Sequence, residues 1–110
     1  MVTDQQLQLI MDALGHQTRR EILALLRDSP RTVGAIAEQL PISRPAVSKH
    51  LRQLEQAGLV EHVSRGTRNI FRLRQAGFEL AREYVSSFWD EALERFRRAA
   101  ESAGAEDHGL

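Results

Sequence analysis

The sequence contains no cysteine, which removes disulfides, thiolate metal sites and thiol redox switches whatever the fold. Long apolar runs are also missing. Every hydrophobic stretch is short and broken by charge, so neither a signal peptide nor a membrane span is expected, and the protein is expected in the cytoplasm without a membrane partner. Catalytic signatures are absent as well: there is no nucleophile elbow, no glycine-rich phosphate loop and no HExxH. Paired carboxylates such as Asp90 and Glu91 fall on a helix, where their ordinary role is a solvated face. No enzyme activity, cofactor or metal is assigned.

Net charge is lacking too, but only on average. The 15 basic and 15 acidic residues cancel. Residues 1–43 carry four basic and five acidic side chains, residues 44–74 seven and two, and residues 75–110 four and eight. The middle third is therefore positive by five charges. Segregation of this kind creates a local field that draws a polyanion to a neutral molecule.

With 110 residues, the chain has room for one domain with a modest core, and oligomerisation is a common way for so short a chain to gain stability. A single domain over residues 1–100 is expected, with 101–110 as a polar, disordered tail.

The elements follow from punctuation and periodicity. Thr3 caps a first helix whose stripe is Leu7, Ile10, Met11 and Leu14, ending near Gly15. A second helix fits Thr18 to Asp28, and Ser29-Pro30 breaks it. Thr32 caps a short third helix that Pro41 prevents from continuing. Ser43 caps a fourth, with Pro45 in its first turn and Gly58 just past its end. Two runs with β character, Val60 to Ser64 and Asn69 to Leu73, flank "RGTR" and predict a hairpin. A long last helix is predicted from Phe78 to about Ala100. The fold class is mainly α with a small β-hairpin, in the order α-α-α-α-β-β-α.

The fourth helix has two faces. At 100° per residue, Val47, Leu51 and Leu54 fall on one side, while Pro45, Ser48, Lys49, Arg52 and Gln56 cluster on the other. Two short helices joined by a tight turn, the second presenting a basic face, suit insertion of that second helix into a DNA major groove. Lys49 and Arg52 can meet phosphates or guanine edges, and Ser43, Arg44 and Ser48 can reach backbone or bases. A hairpin bearing Arg65, Arg68, Arg72 and Arg74 suits a neighbouring backbone or minor groove. The candidate DNA-binding residues are Ser43, Arg44, Pro45, Ser48, Lys49, Arg52, Arg65 and Arg68.

The stretches "TRREIL", "SRPAVSKHL", "LEQAGLV" and "SFWDEALERF" together resemble the ArsR family of winged helix-turn-helix repressors, and within it the small SdpR-like regulators, over roughly residues 10–98. The resemblance implies a homodimer built from the first and last helices, two recognition helices on successive major-groove faces, and repression by occupying a promoter at an imperfect palindrome. Five of the six aromatics lie on the last helix, whose apolar surface is too wide for one thin monomer to cover. The expected interface is Leu7, Ile10, Met11, Phe78, Val85, Phe88, Trp89 and Phe96.

Many relatives in that family sense metals, and four histidines are present. The third helix lacks the cysteines of one known site type, and the last helix lacks the histidine and aspartate spacing of another. His50 belongs to the "SKHL" motif, His16 and His62 are isolated in sequence, and His108 lies in the tail. The alternatives kept are a nickel- or zinc-responsive sensor using histidine with carboxylates between subunits, and a regulator controlled by a protein partner. The effector is left unidentified.

Overall fold

The computed structural model describes residues 3–107, with side chains as far as Gly104. The elements are α1 (Asp4–Leu14), α2 (Gln17–Asp28), β1 (Arg31–Thr32), α3 (Val33–Gln39), α4 (Arg44–Gln56), β2 (Val60–Arg65), β3 (Arg68–Leu73) and α5 (Gln75–Asp107). No helix among the described residues is long and apolar enough to cross a membrane.

Local chemistry sets most boundaries. The Thr3, Thr32 and Ser43 hydroxyls accept from the backbone N–H groups of Gln6, Ala35 and Ala46 at 3.0, 3.2 and 3.3 Å, each satisfying one donor that its helix leaves free. Gly58 follows the end of α4 with φ of +77°, a left-handed conformation that a side chain disfavours. Gly66 adopts φ of +62° in the hairpin turn, so the strands reverse within two residues and Arg65 pairs with Arg68.

The sheet differs from the predicted hairpin by one strand. Its order is β1-β3-β2, all antiparallel, with Arg31 opposite Phe71 and Thr32 opposite Ile70. Pro30 keeps Ser29 out of the helical region (φ −167°, ψ 154°), and the extended chain that results lies along β3 for two residues. Thr32 thus ends a strand and caps α3, tying the base of the hairpin to the helix-turn-helix.

The core gathers Ile10, Ile22, Ile36, Val47, Leu51, Leu54, Leu59 and Val60, all fully buried. Each side chain of this size stabilises the fold by about 1.5–3 kcal/mol on leaving water. Ile10 was expected at a subunit interface and is instead enclosed by its own chain, 0% exposed. The stripe on α1 is wider than one contact: Ile10 and Ala13 turn inward, while Leu7, Met11 and Leu14 are only half-buried.

The last helix is longer than predicted at both ends, starting at Gln75 and running to Asp107. The expected disordered tail is therefore helical as far as Asp107. The alanines and glutamates of 99–106 are good helix formers, and Gly104 alone costs only about 1 kcal/mol. Residues 108–110, His108 among them, lie outside the described residues. Ala81 is buried and Phe78 and Leu80 pack on the core, but between Arg82 and Ala103 every residue except Leu93 is exposed. At 33 residues the helix is about 50 Å long, and the molecule measures 75 × 29 × 20 Å.

Candidate nucleic-acid interface

Helix α4 presents the two faces its sequence implies. Val47, Leu51 and Leu54 are buried, whereas Pro45, Lys49, Arg52 and Gln56 are exposed and Ser48 is half-buried. The buried face packs against α1, α2, α3 and β2, so the orientation of the basic face is fixed by the core beneath it.

The charges of residues 44–74 sort themselves. Both acids in this stretch are engaged: Glu55 meets His62 Nδ1 at 2.6 Å, and Glu61 accepts from Arg72 at 2.9 Å across the β2–β3 pair. Among the described residues Arg72 is the one base of the stretch that is ion-paired. Arg44, Lys49, Arg52, Arg65, Arg68 and Arg74 are exposed, with no acidic partner among the described residues. Sequence counting could not separate Arg72 from its neighbours, because the pairing depends on register.

The expected DNA-binding residues fall in two groups joined by one cleft. Ser43 to Arg52 lie along α4, while Arg65 and Arg68 stand at the hairpin turn. A cleft lined by Gly34, Glu38, Arg44, Thr67, Arg68 and Asn69, among others, separates them. Arg44 and Arg68 face this space from opposite elements. Gly34 was not singled out from sequence, and nothing local to it signals that Arg44 would lie there.

Where α4 meets the start of α2, two histidines distant in sequence come together. The His16 and His50 rings lie 5.0 Å apart, and Arg19 Nε donates to His50 Nδ1 at 3.4 Å while Arg19 Nη1 donates to the Asp12 carbonyl. Burial, followed by the charges of His16, Arg19 and Lys49, holds the His50 pKa below the ordinary histidine value. A neutral ring is what a guanidinium donor needs opposite it. No group of three or more histidine or carboxylate side chains suited to a metal ion occurs among the described residues.

Away from the basic surface, α5 carries exposed apolar residues: Val85 61%, Phe88 59%, Trp89 67% and Phe96 69%. Tyr84 stacks edge-on against Phe88 at 5.0 Å, and a groove between α1 and α5 is lined by Leu7, Leu80 and Tyr84. Leu9 on α1 is also exposed, at 41%, and falls outside the stripe read from that helix.

This arrangement has counterparts. Residues 14–63 match a family model described as a helix-turn-helix domain. The HTH-type transcriptional regulator Rv2034 of Mycobacterium tuberculosis is 40% identical over 92 residues, spanning 84% of this chain and 86% of that protein. The structure of an ArsR-like transcriptional regulator from Rhodococcus sp. RHA1 superposes with a TM-score of 0.71 at 36% identity, over 88% of this chain and 92% of that one. The solution structure of the homodimeric winged helix-turn-helix DNA-binding domain of Mb0332 from Mycobacterium bovis gives a TM-score of 0.62 at 35% identity, over 83% and 84% of the two chains.

Proposed function

The chain belongs to the ArsR family of winged helix-turn-helix transcriptional regulators, and from that premise we propose that it acts as a homodimeric repressor occupying an imperfect palindrome in a promoter. In this reading α4 enters the major groove, with Ser43, Pro45, Ser48, Lys49 and Arg52 at the DNA. The β2–β3 wing lies along the adjoining backbone through Arg65 and Arg68. Occupancy of the promoter excludes the transcription machinery, the sense expected of the small SdpR-like regulators.

The observation that carries the reading is the set of exposed bases on α4, on the wing and at Arg74 that have no acidic partner among the described residues, next to two acids already engaged by His62 and Arg72. Each one placed on a phosphate releases counterions, so binding falls steeply with salt. The exposed Val85, Phe88, Trp89 and Phe96 support a second copy on α5, and the homodimeric state of the Mb0332 domain agrees with this. A two-fold dimer places its recognition helices about 34 Å apart, one turn of duplex.

Gel shifts with the chain's own upstream DNA across a salt series test the reading, with site selection from genomic fragments defining the operator. Tight binding whose logarithm falls linearly with log salt is expected. Binding that is absent at low salt, or indifferent to salt, would refute it. A promoter–reporter fusion that brightens on deleting the gene establishes repression.

A further inference from the structure

Glycine is a poor helix residue, yet Gly34 occupies the first turn of α3, where its missing side chain is used. A methyl group there would sit 2.9 Å from Arg44 Nη2 and 3.2 Å from Cζ, because the Arg44 guanidinium lies back against the α3 backbone. From there it lines a cleft of about 450 Å³ that opens toward the wing turn, with Thr67, Arg68 and Asn69 on the facing wall. Neither Arg44 nor Arg68 has an acidic partner within ion-pair distance among the described residues, so the cleft holds two guanidiniums that are not ion-paired. Glu38 also lines it. That carboxylate disfavours a second negative charge, and so favours a singly charged phosphodiester over a phosphate monoester.

Resting on the DNA-binding reading above, we propose that this cleft seats one backbone phosphodiester of the operator between Arg44 and Arg68, with Gly34 as the positioning residue that keeps the Arg44 guanidinium in place. A strand that separates the major groove, entered by α4, from the minor groove beside the wing must cross between the two elements, where the cleft lies. Arg44 then sets the register of the protein on DNA, and base reading is left to residues farther along α4.

The test compares Gly34→Ala, Arg44→Ala, Arg68→Ala and the Gly34→Ala/Arg44→Ala double variant on the selected operator and on a base-substituted one. Because the clashing atoms belong to the end of a flexible side chain, Gly34→Ala moves Arg44 without disturbing the core. Its melting temperature stays level or rises, as an alanine in a helix favours, while affinity drops roughly tenfold on both DNAs, the scale of one charge-assisted hydrogen bond. The slope of log affinity against log salt falls by about 0.9 for the lost phosphate. The double variant binds no worse than Arg44→Ala. A purely structural role for Gly34 cannot raise stability and lower affinity together. Wild-type affinity and salt slope in Gly34→Ala overturn the proposal, as do multiplicative losses in the double variant or an Arg44→Ala defect confined to the selected sequence. Inorganic phosphate added at constant ionic strength should compete no better than chloride. Phosphate that binds the free protein through Arg44, together with an Arg44→Ala variant whose DNA affinity and salt slope equal those of wild type, gives the seat to free phosphate instead and overturns the assignment to DNA. Wild-type protein that binds no DNA at all defeats the regulator reading itself, an outcome distinct from any of these.

Discussion

The Gly77 backbone N–H donates to the Gly58 carbonyl at 2.9 Å, joining the first turn of α5 to the residue that ends α4. A second bond, from the Arg74 N–H to the Leu59 carbonyl at 2.9 Å, runs beside it. The Gly77 donor is one of the four that a helix N-terminus leaves free, here satisfied by the turn that follows α4. The helix that carries the exposed Val85, Phe88, Trp89 and Phe96 is thereby bonded directly to the end of the helix that carries the basic face, so the pose of one constrains the pose of the other.

The two glycines at this joint are not equivalent. A Cβ on Gly77 would lie 2.5 Å from the Gly58 oxygen and 2.7 Å from its carbon, backbone atoms that cannot swing aside, whereas a Cβ on Gly58 meets nothing nearer than 3.9 Å. Gly58→Ala therefore carries only the left-handed penalty of about 1–2 kcal/mol. Gly77→Ala forces the elements apart and should cost at least as much as severe overpacking, about 3 kcal/mol. Urea unfolding at neutral pH checks the ranking, and a Gly77→Ala protein more stable than Gly58→Ala would disprove the close approach.

Much of this architecture was legible in the sequence because its signals are local. Threonine and serine caps, Pro45 in a first turn, Gly58 at a helix end and the spacing of Val47, Leu51 and Leu54 each depend on a few neighbouring residues. What was missed depends on contacts between segments far apart in sequence. Strand β1 is two residues long and exists only because β3 lies beside it. Ile10 shares a stripe with Leu7 and Met11 but points into the core, a distinction that periodicity on one narrow helix does not resolve. Gly34 under Arg44, Arg72 on Glu61, and His16 beside His50 are meetings across elements, invisible until the chain is folded.

His50 makes stability depend on pH. In the folded protein the His50 pKa is held below the ordinary value, first by burial and then by His16, Arg19 and Lys49, whereas the unfolded chain titrates near 6.5. As pH falls through about 6.5 the unfolded state takes up this proton before the folded state does, so stability decreases down to the lowered folded pKa and then levels off. Above about pH 7.5 the group contributes no slope. Replacing His50 with glutamine, which can still accept from Arg19, should flatten the melting-temperature profile between pH 7.5 and 5. A variant whose profile parallels wild type would place the pH dependence elsewhere.

Register distinguishes the arginines of the wing. Arg72 is occupied by Glu61 across the strands, whereas Arg65 at the turn has no acidic partner among the described residues. Removing Arg65 should lower the salt slope of DNA binding by about 0.9, the share of one phosphate contact. Arg72→Ala should leave the slope within error of wild type while modestly loosening the hairpin, since exposed pairs contribute at most about 1 kcal/mol. Equal effects from the two variants would mean that Arg72 abandons Glu61 on binding.

The distinction between Ile10 and Trp89 tests the assembly. Ile10 is fully enclosed within one chain, while Trp89 on α5 is 67% exposed. Ile10→Ala should therefore unfold the protomer more readily, by about 2–5 kcal/mol, with the dimer dissociation constant of the folded protein little changed. Trp89→Glu has the opposite signature. In a lone protomer it sits in water at almost no cost, but between two copies it buries an unpaired charge and weakens association by several kcal/mol. Sedimentation at micromolar concentration should find wild type dimeric and Trp89→Glu monomeric, with far-ultraviolet circular dichroism showing the variant still folded. Its DNA affinity should fall to that of one half-site, because the second recognition helix no longer arrives one turn along the duplex. A Trp89→Glu protein that remains dimeric would move the interface off this face of α5, and a wild-type monomer that binds a single half-site tightly would remove the palindrome as well.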